Sequence, residues 1–257
     1  MELRRLSIGY SGGKRMALFS DISATVAQGA LIGLFGRNGI GKSTLLKTMA
    51  GLQPPIKGAI TLGGRDLKQM KPTDIAKQIA FVSSQPVRTQ RLSVRDMVGT
   101  GRYNHTNWIG VELKNDKEVI NQALAATDLS VIAHQDSATL SDGELQRASI
   151  ARSLAQDTPL IFLDEPTAFL DMGNRYKTIH LLKDLVQTAK KGVVFSTHDL
   201  TLALQVCDIL WIMKDDGFYA APPLQLVREG VLDALCTSFG LKFDPKTLSI
   251  KNSSFCG

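Results

Sequence analysis

The sequence predicts an α/β fold built on a parallel sheet, and three observations predict it. Short apolar runs of strand length recur along the chain, helical patterns lie between them, and a glycine-rich loop joins one such run to a helix. With 257 residues, 44% of them hydrophobic and 21% charged, the chain can bury a core as one large domain or two coupled lobes. Its longest unbroken apolar runs, such as residues 209–213, fall far short of the ~18 residues of a membrane-spanning helix. No apolar leader follows Met1, so a cytoplasmic location is expected.

Taken in order, Leu3 to Tyr10 and Leu18 to Val26 read as an antiparallel pair turning at Ser11-Gly12-Gly13. Buried parallel strands are predicted at 31–35, 79–83, 160–163, 193–196 and 209–213, each short, aliphatic and flanked by turn or cap residues. Met172 to Ala189 predicts a helix, because Ile179, Leu182, Val186 and Ala189 recur at three- and four-residue spacing. Residues from about 93 to 156 carry helical patterns and no convincing strand, which implies a helical lobe inserted into the α/β core. The expected division is a core of 1–85 and 158–214, a helical subdomain of 86–157 and an extension of 215–257, whose role the sequence leaves open.

Composition narrows the functional classes. The net charge of +6 invites a nucleic-acid reading. The basic residues are dispersed, however, and aromatics make up only 6%, leaving few stacking platforms for single strands. Polyphosphate ligands or an acidic partner account for the same excess. Cys207, Cys236 and Cys256 are scattered, without metal-ligand spacing, and are assigned no chemistry.

Gly36-Arg37-Asn38-Gly39-Ile40-Gly41-Lys42-Ser43-Thr44 follows a predicted strand and precedes a helix-forming stretch. This is the complete phosphate-loop pattern in its strand-loop-helix context. Glycines let the backbone wrap a phosphate, successive N–H groups and the helix N-terminus face the anion, Lys42 neutralises charge, and the Ser43 hydroxyl can ligate Mg²⁺. The strand at 160–163 ends in Asp164-Glu165, placing two carboxylates at the end of a parallel sheet where ligands bind. There Asp164 can hold Mg²⁺ and Glu165 can polarise a water. His198, after the strand at 193–196, is placed to contact a terminal phosphate; His105, His134 and His180 lack such a context.

Leu140-Ser141-Asp142-Gly143-Glu144-Leu145-Gln146-Arg147, taken with the phosphate loop, Asp164-Glu165 and His198, resembles the signature of ATP-binding cassette (ABC) ATPases. The resemblance extends from residue 1 to about 214. It implies a P-loop NTPase (RecA-like) core with an inserted α-helical subdomain, hydrolysing ATP with Mg²⁺. Tyr10 resembles the aromatic that stacks on adenine, Gln85 the glutamine between core and helical lobe, and Asp171 the D-loop aspartate. The implied Mg²⁺ set is Ser43, Gln85 and Asp164; Glu165, His198 and Gln85 serve catalysis. The loop residues Gly36 to Thr44 bind ATP, together with Ser141, Gly143 and Glu144. The family works as a head-to-tail dimer in which the signature of one copy meets the ATP of the other. Read alone, Ser141 and Glu144 form a helix cap and its capping box, and both readings can hold together.

Ser93-Val94-Arg95-Asp96-Met97-Val98, followed by Gly101-Arg102-Tyr103, is similar to ATPases of importers for iron-siderophore complexes, haem and vitamin B12. That likeness implies integral-membrane permease subunits, an external substrate-binding protein and a peripheral place on the cytoplasmic side of the inner membrane, with no nucleic acid. A soluble ABC ATPase of iron-sulfur assembly, or an ABC ATPase of another transporter class, is the alternative. Two positions depart from the family pattern: Arg37 where Pro is common and Asp142 where Gly is common. Their opposite charges could meet across a dimer, though exposed pairs usually contribute only ~0.2–1 kcal/mol, and the simpler expectation is that both point into solvent.

Overall fold

The computed structural model describes residues 1–10, 16–86, 88–105, 114–238, 241–244 and 249–252. Strand β1 (Glu2–Tyr10) pairs antiparallel with β2 (Met16–Thr25), with Leu3 opposite Ala24 and Gly9 opposite Ala17. The expected turn at Ser11-Gly12-Gly13 lies outside the described residues. Next come β3 (Leu31–Gly36), α1 (Lys42–Met49) and a hairpin the sequence reading did not anticipate, β4 (Lys57–Leu62) and β5 (Arg65–Asp66). The signal for it was Gly63-Gly64, whose positive φ values of 57° and 79° suit a tight two-residue turn. β4 adds to the free edge of β1, giving a sheet of order β2-β1-β4-β5.

After α2 (Pro72–Ala76) and β6 (Ile79–Val82) the chain leaves for the helical lobe, α3 (Val94–Gly99), α4 (Lys114–Ala126) and α5 (Asp142–Ala155). It returns through β7 (Leu160–Leu163), α6 (Met172–Gln187), β8 (Gly192–Thr197), α7 (Leu200–Val206) and β9 (Ile209–Lys214). β10 (Gly217–Ala221), α8 (Pro223–Arg228), α9 (Val231–Ser238), β11 (Leu241–Asp244) and β12 (Ser249–Asn252) complete the described chain. The central sheet has the order β10-β9-β3-β8-β7-β6. Its four pairings from β9 to β6 are all parallel, and β10 folds back antiparallel on β9.

Two-residue periodicity splits this sheet into two buried faces. Phe35, Ile161, Leu163, Val193 and Phe195 pack with Ile179, Leu182 and Val186 of α6 and with Ala203 and Leu204 of α7. Ile32, Leu34, Leu160, Phe162 and Val194 face the other way, against Leu45, Leu46 and Met49 of α1 and Leu6, Ile8 and Ile22 of the N-terminal sheet. Each fully buried Val, Leu, Ile, Met or Phe among them stabilises the fold by ~1.5–3 kcal/mol. Ala189, expected on the buried stripe, is exposed, because the helix ends at Gln187 and the chain turns out through Lys190 in a left-handed conformation. The segment after 214 is part of this core: β10 extends the central sheet, and Leu226, Leu232, Leu235, Cys236 and Phe243 join the α6/α7 layer.

The lobe has its own small core of Val94, Met97, Val98, Ile120, Leu124, Leu145 and Ala148. As expected, Ser93 caps α3 by accepting from the Asp96 amide at 3.1 Å. The Gly101-Arg102 pair has a local structural role. A Cβ at Gly101 would collide with the Arg152 carbonyl, and Arg102, 8% exposed, donates to Asp116 Oδ1 at 2.8 Å and to the Ala155 carbonyl at 2.9 Å. Lobe and core are stitched by Gln156, whose amide donates to the Ala76 and Ile79 carbonyls at 2.7 and 3.1 Å.

Candidate functional site

The parallel pairing brings four strand ends together. Phe35 lies opposite Thr197, Leu163 opposite Phe195, and Val82 opposite Leu163. The phosphate loop, His198, Asp164-Glu165 and the Ser83–Gln85 segment therefore leave the sheet side by side at its carboxyl edge, where open α/β sheets bind ligands.

Between β3 and α1, Gly39 and Gly41 take positive φ values of 80° and 115°, which only glycine adopts at little cost. They bend the backbone so that α1 starts at Lys42 with no side-chain cap and no acid in its first turn. The N-terminal N–H groups are thus left for an anion. Lys42 is 6% exposed, and its ammonium donates to the Gly36 carbonyl at 2.7 Å and the Arg37 carbonyl at 3.3 Å. Burial holds its pKa below the ordinary lysine value, while Glu165 and Asp164 pull it upward. Ser43 is half-buried, Thr44 is buried with Gly36, Ile40 and Gly41, and Arg37, Asn38 and Gly39 are exposed. Tyr10, at the end of β1, is 58% exposed.

Asp164 is almost fully buried, and both its oxygens are used. Oδ1 accepts from the Ser196 hydroxyl at 2.8 Å and Oδ2 from the Ser84 hydroxyl at 3.1 Å. Ser196 also accepts from the Glu165 amide at 2.8 Å, pinning Glu165 in a left-handed conformation (φ 47°). A non-glycine residue there carries local strain, and the half-buried Glu165 side chain thereby leaves the line of β7, where its charge acts on Lys42. Ser84 and Ser196 were not expected as site residues. The available signal was a serine at the carboxyl end of an otherwise apolar central strand. Gln85 and His198 are both exposed at the same edge.

Ser141 to Glu144 stand elsewhere, at the start of α5 in the lobe. Ser141 accepts from the Glu144 amide at 3.3 Å, while Glu144 Oε2 accepts from the Ser141 amide and hydroxyl at 2.9 and 2.7 Å, completing the expected capping box. These bonds hold the Glu144 carboxyl below its usual pKa. Gly143 lies under the Phe169 carbonyl, which a Cβ would meet at 3.3 Å. Asp171 caps α6 through the Asn174 amide at 2.8 Å, and that bond lowers its pKa. Gln146, fully buried, has no hydrogen-bond partner among the described residues for either side-chain amide atom. Arg37 and Asp142 are both exposed, as expected, and each also pairs within the chain: Arg37 with Asp215 at 2.8 Å, Asp142 with Arg88 at 2.6 Å.

The ABC transporter family model matches residues 19–168. The achromobactin transport ATP-binding protein CbrD of Dickeya dadantii is 33% identical over 89% of this chain and 84% of its own length. The petrobactin import ATP-binding protein FpuD of Bacillus anthracis is 35% identical over 89% and 83%. Among solved structures, a transporter described as of metal-chelate type in an inward-facing conformation superposes with a TM-score of 0.77 at 29% identity, covering 94% of this chain and 89% of the other. A dimeric ATP-binding cassette bound to ADP and phosphate, 23% identical, shares the fold with a TM-score of 0.76 over 86% of this chain and 98% of its own. A family model spanning more than half the sequence, and relatives above 30% identity along most of it, establish that the chain belongs to the ABC transporter family, as one of its ATPase subunits.

Proposed function

We propose that the chain hydrolyses Mg·ATP as a head-to-tail pair and energises import of an iron-siderophore chelate, haem or cobalamin through separate permease subunits. The observation that carries the hydrolytic reading is the meeting of Lys42, Asp164 and Glu165 at the sheet's carboxyl edge, with α1 left open to an anion. Tyr10 stacks on adenine and the Gly36–Thr44 backbone with Lys42 holds the phosphates. Ser43, Gln85 and Asp164 form an all-oxygen donor set that suits Mg²⁺, which when bound would neutralise charge on the phosphates. Glu165 is the general base, kept in place by Ser196; His198 contacts the γ-phosphate. In such phosphoryl transfer, catalysis is mostly positioning and charge stabilisation.

The second copy supplies Ser141, Gly143 and Glu144 to the ATP, with Asp171 near the seam. Phe169, Met172 and Tyr176, exposed at 51%, 78% and 58% around Asp171, support that seam, since apolar surface of this kind marks interaction sites. The import reading draws on relatives named for achromobactin and petrobactin. It adds an external substrate-binding protein and a peripheral position on the cytoplasmic face of the inner membrane, and involves no nucleic acid. No described helix is long and apolar enough to cross a membrane. The working division is a core of 1–85 and 158–214, a helical subdomain of 86–157 that moves with Gln85, and an extension from 215 whose β10, α8, α9 and β11 pack into that core.

Glu165→Gln tests the reading. Loss of a general base should lower steady-state ATPase by ~100-fold or more, while ATP binding persists and ATP drives a dimer visible by light scattering. Unchanged turnover would refute the assignment.

A further inference from the structure

The chain that leaves the sheet at Gln85 runs antiparallel to the chain that enters the signature, and the two are laced together. Ser137 donates from its hydroxyl to the Thr89 carbonyl and from its amide to the Leu92 carbonyl, both at 2.8 Å. The Arg91 amide donates to Asp136 Oδ2 at 3.2 Å, and the Val94 and Arg95 amides to the Gln135 and Ala133 carbonyls at 3.0 and 2.8 Å. Arg88 closes the lacing at the signature end. One of its guanidinium nitrogens donates to the Ala138 and Leu140 carbonyls at 3.3 and 2.5 Å, the other to Asp142 Oδ1 at 2.6 Å.

We propose that Arg88 is a positioning residue that ties the signature turn to the segment carrying Gln85, so that the ATP bound in one site of the pair sets the geometry of the other. The inference rests on the dimeric ATPase reading. Its physical basis is the planar fork of the guanidinium, which fixes direction as well as charge. Asp142 precedes Gly143, whose amide is to face an anion, and an unpaired carboxylate there would repel the phosphate. Arg88 neutralises it from its own chain, and Arg37 is already engaged by Asp215. A shift of Gln85 toward or away from a γ-phosphate then moves residues 88–95 and 133–142 as one body, carrying Ser141 and Gly143 with them.

The test uses the full chain and measures ATPase against ATP concentration, with nucleotide binding to the monomer as control. Arg88→Met should lower kcat ~two- to fivefold, the upper part of what an exposed charge pair contributes, and bring the Hill coefficient toward one, with monomer affinity for ATP unchanged. Asp142→Asn, nearly isosteric, should do the same more weakly. The exchange Arg88→Asp with Asp142→Arg should recover part of both losses, which a purely local packing defect would not. Wild-type kcat and cooperativity in Arg88→Met, or an exchanged pair no better than its single variants, would overturn the proposal. Absence of ATP hydrolysis or of an ATP-driven dimer in the wild type would instead count against the ATPase reading itself.

Discussion

Helices α1 and α5 begin in opposite ways. α1 opens on a left-handed glycine, with no side-chain cap, no acid in its first turn and a buried lysine as its first residue. α5 opens on a reciprocal capping box, with Asp142 and Glu144 both in its first turn. The N-terminal N–H groups of α1 thus stay open to an anion, whereas those of α5 are partly satisfied by the chain's own carboxylate. The first helix start leaves its amides uncapped within the chain. The other is self-occupied: the Ser141 hydroxyl already donates to Glu144, and it must exchange that bond to meet a phosphate. On the proposed reading, the difference separates a primary binding site from one used only when a partner delivers the anion.

The sharpest way to break this contrast is Lys42→Met, which keeps the aliphatic stem and removes the charge. ATPase should fall ~10²–10³-fold, the loss expected when a preorganised charge at a phosphoryl group is removed. Thermal unfolding at neutral pH should be little changed, because burial already disfavours the Lys42 charge. A variant that unfolds much earlier would show the ammonium to be a strut of the loop rather than a ligand for phosphate.

Next in size are two substitutions at Ser141. Ser141→Ala removes the cap, at a cost of ~1 kcal/mol, and also the donor, so activity should drop ~tenfold or more. Ser141→Asp keeps the cap but turns a carboxylate toward the incoming phosphate. It should unfold somewhat earlier than the wild type, because the new carboxylate faces Glu144 where the Ser141 hydroxyl donated at 2.7 Å, and it should fail to form the ATP-driven dimer. An active Ser141→Asp protein would reduce Ser141 to a cap.

The smallest effect is a pH dependence. The Ser141 hydroxyl and amide hold the Glu144 carboxyl below its ordinary pKa. A depressed folded value means that the stabilisation is complete above the unfolded value and disappears as pH falls through the lowered one. The melting-temperature gap between wild type and Glu144→Ala, measured from neutral pH downward, should therefore close in acid. A gap that stays constant would remove the charge from the capping argument.

Much of this was legible in the sequence for identifiable reasons. The five parallel strands of the central sheet read as apolar runs because they are buried on both faces, and Ser93, Ser141 and Glu144 read as caps because capping is a local interaction. The β4–β5 hairpin was missed although Gly63-Gly64 announced it; its strands are short and only partly buried. Ser84 and Ser196 were missed because their roles exist only opposite Asp164, which lies 80 and 32 residues away in sequence. The Gly101-Arg102 pair, read as a mark of importer class, also proves to hold the lobe together through Asp116 and Arg152.

By itself the sequence determined the α/β class, the phosphate loop, the acidic pair and the signature, since each depends on residue types at short spacing. Tertiary structure alone decided which charge answers which. Arg37 found Asp215 and Asp142 found Arg88, pairings between segments that touch only once β9 has turned into β10 and the lobe has folded back on the Gln85 segment. It also decided that the tail beyond residue 214 is core. Leu226, Leu232 and Phe243 are single apolar residues in a mixed sequence until the α6/α7 face gives them a surface to cover.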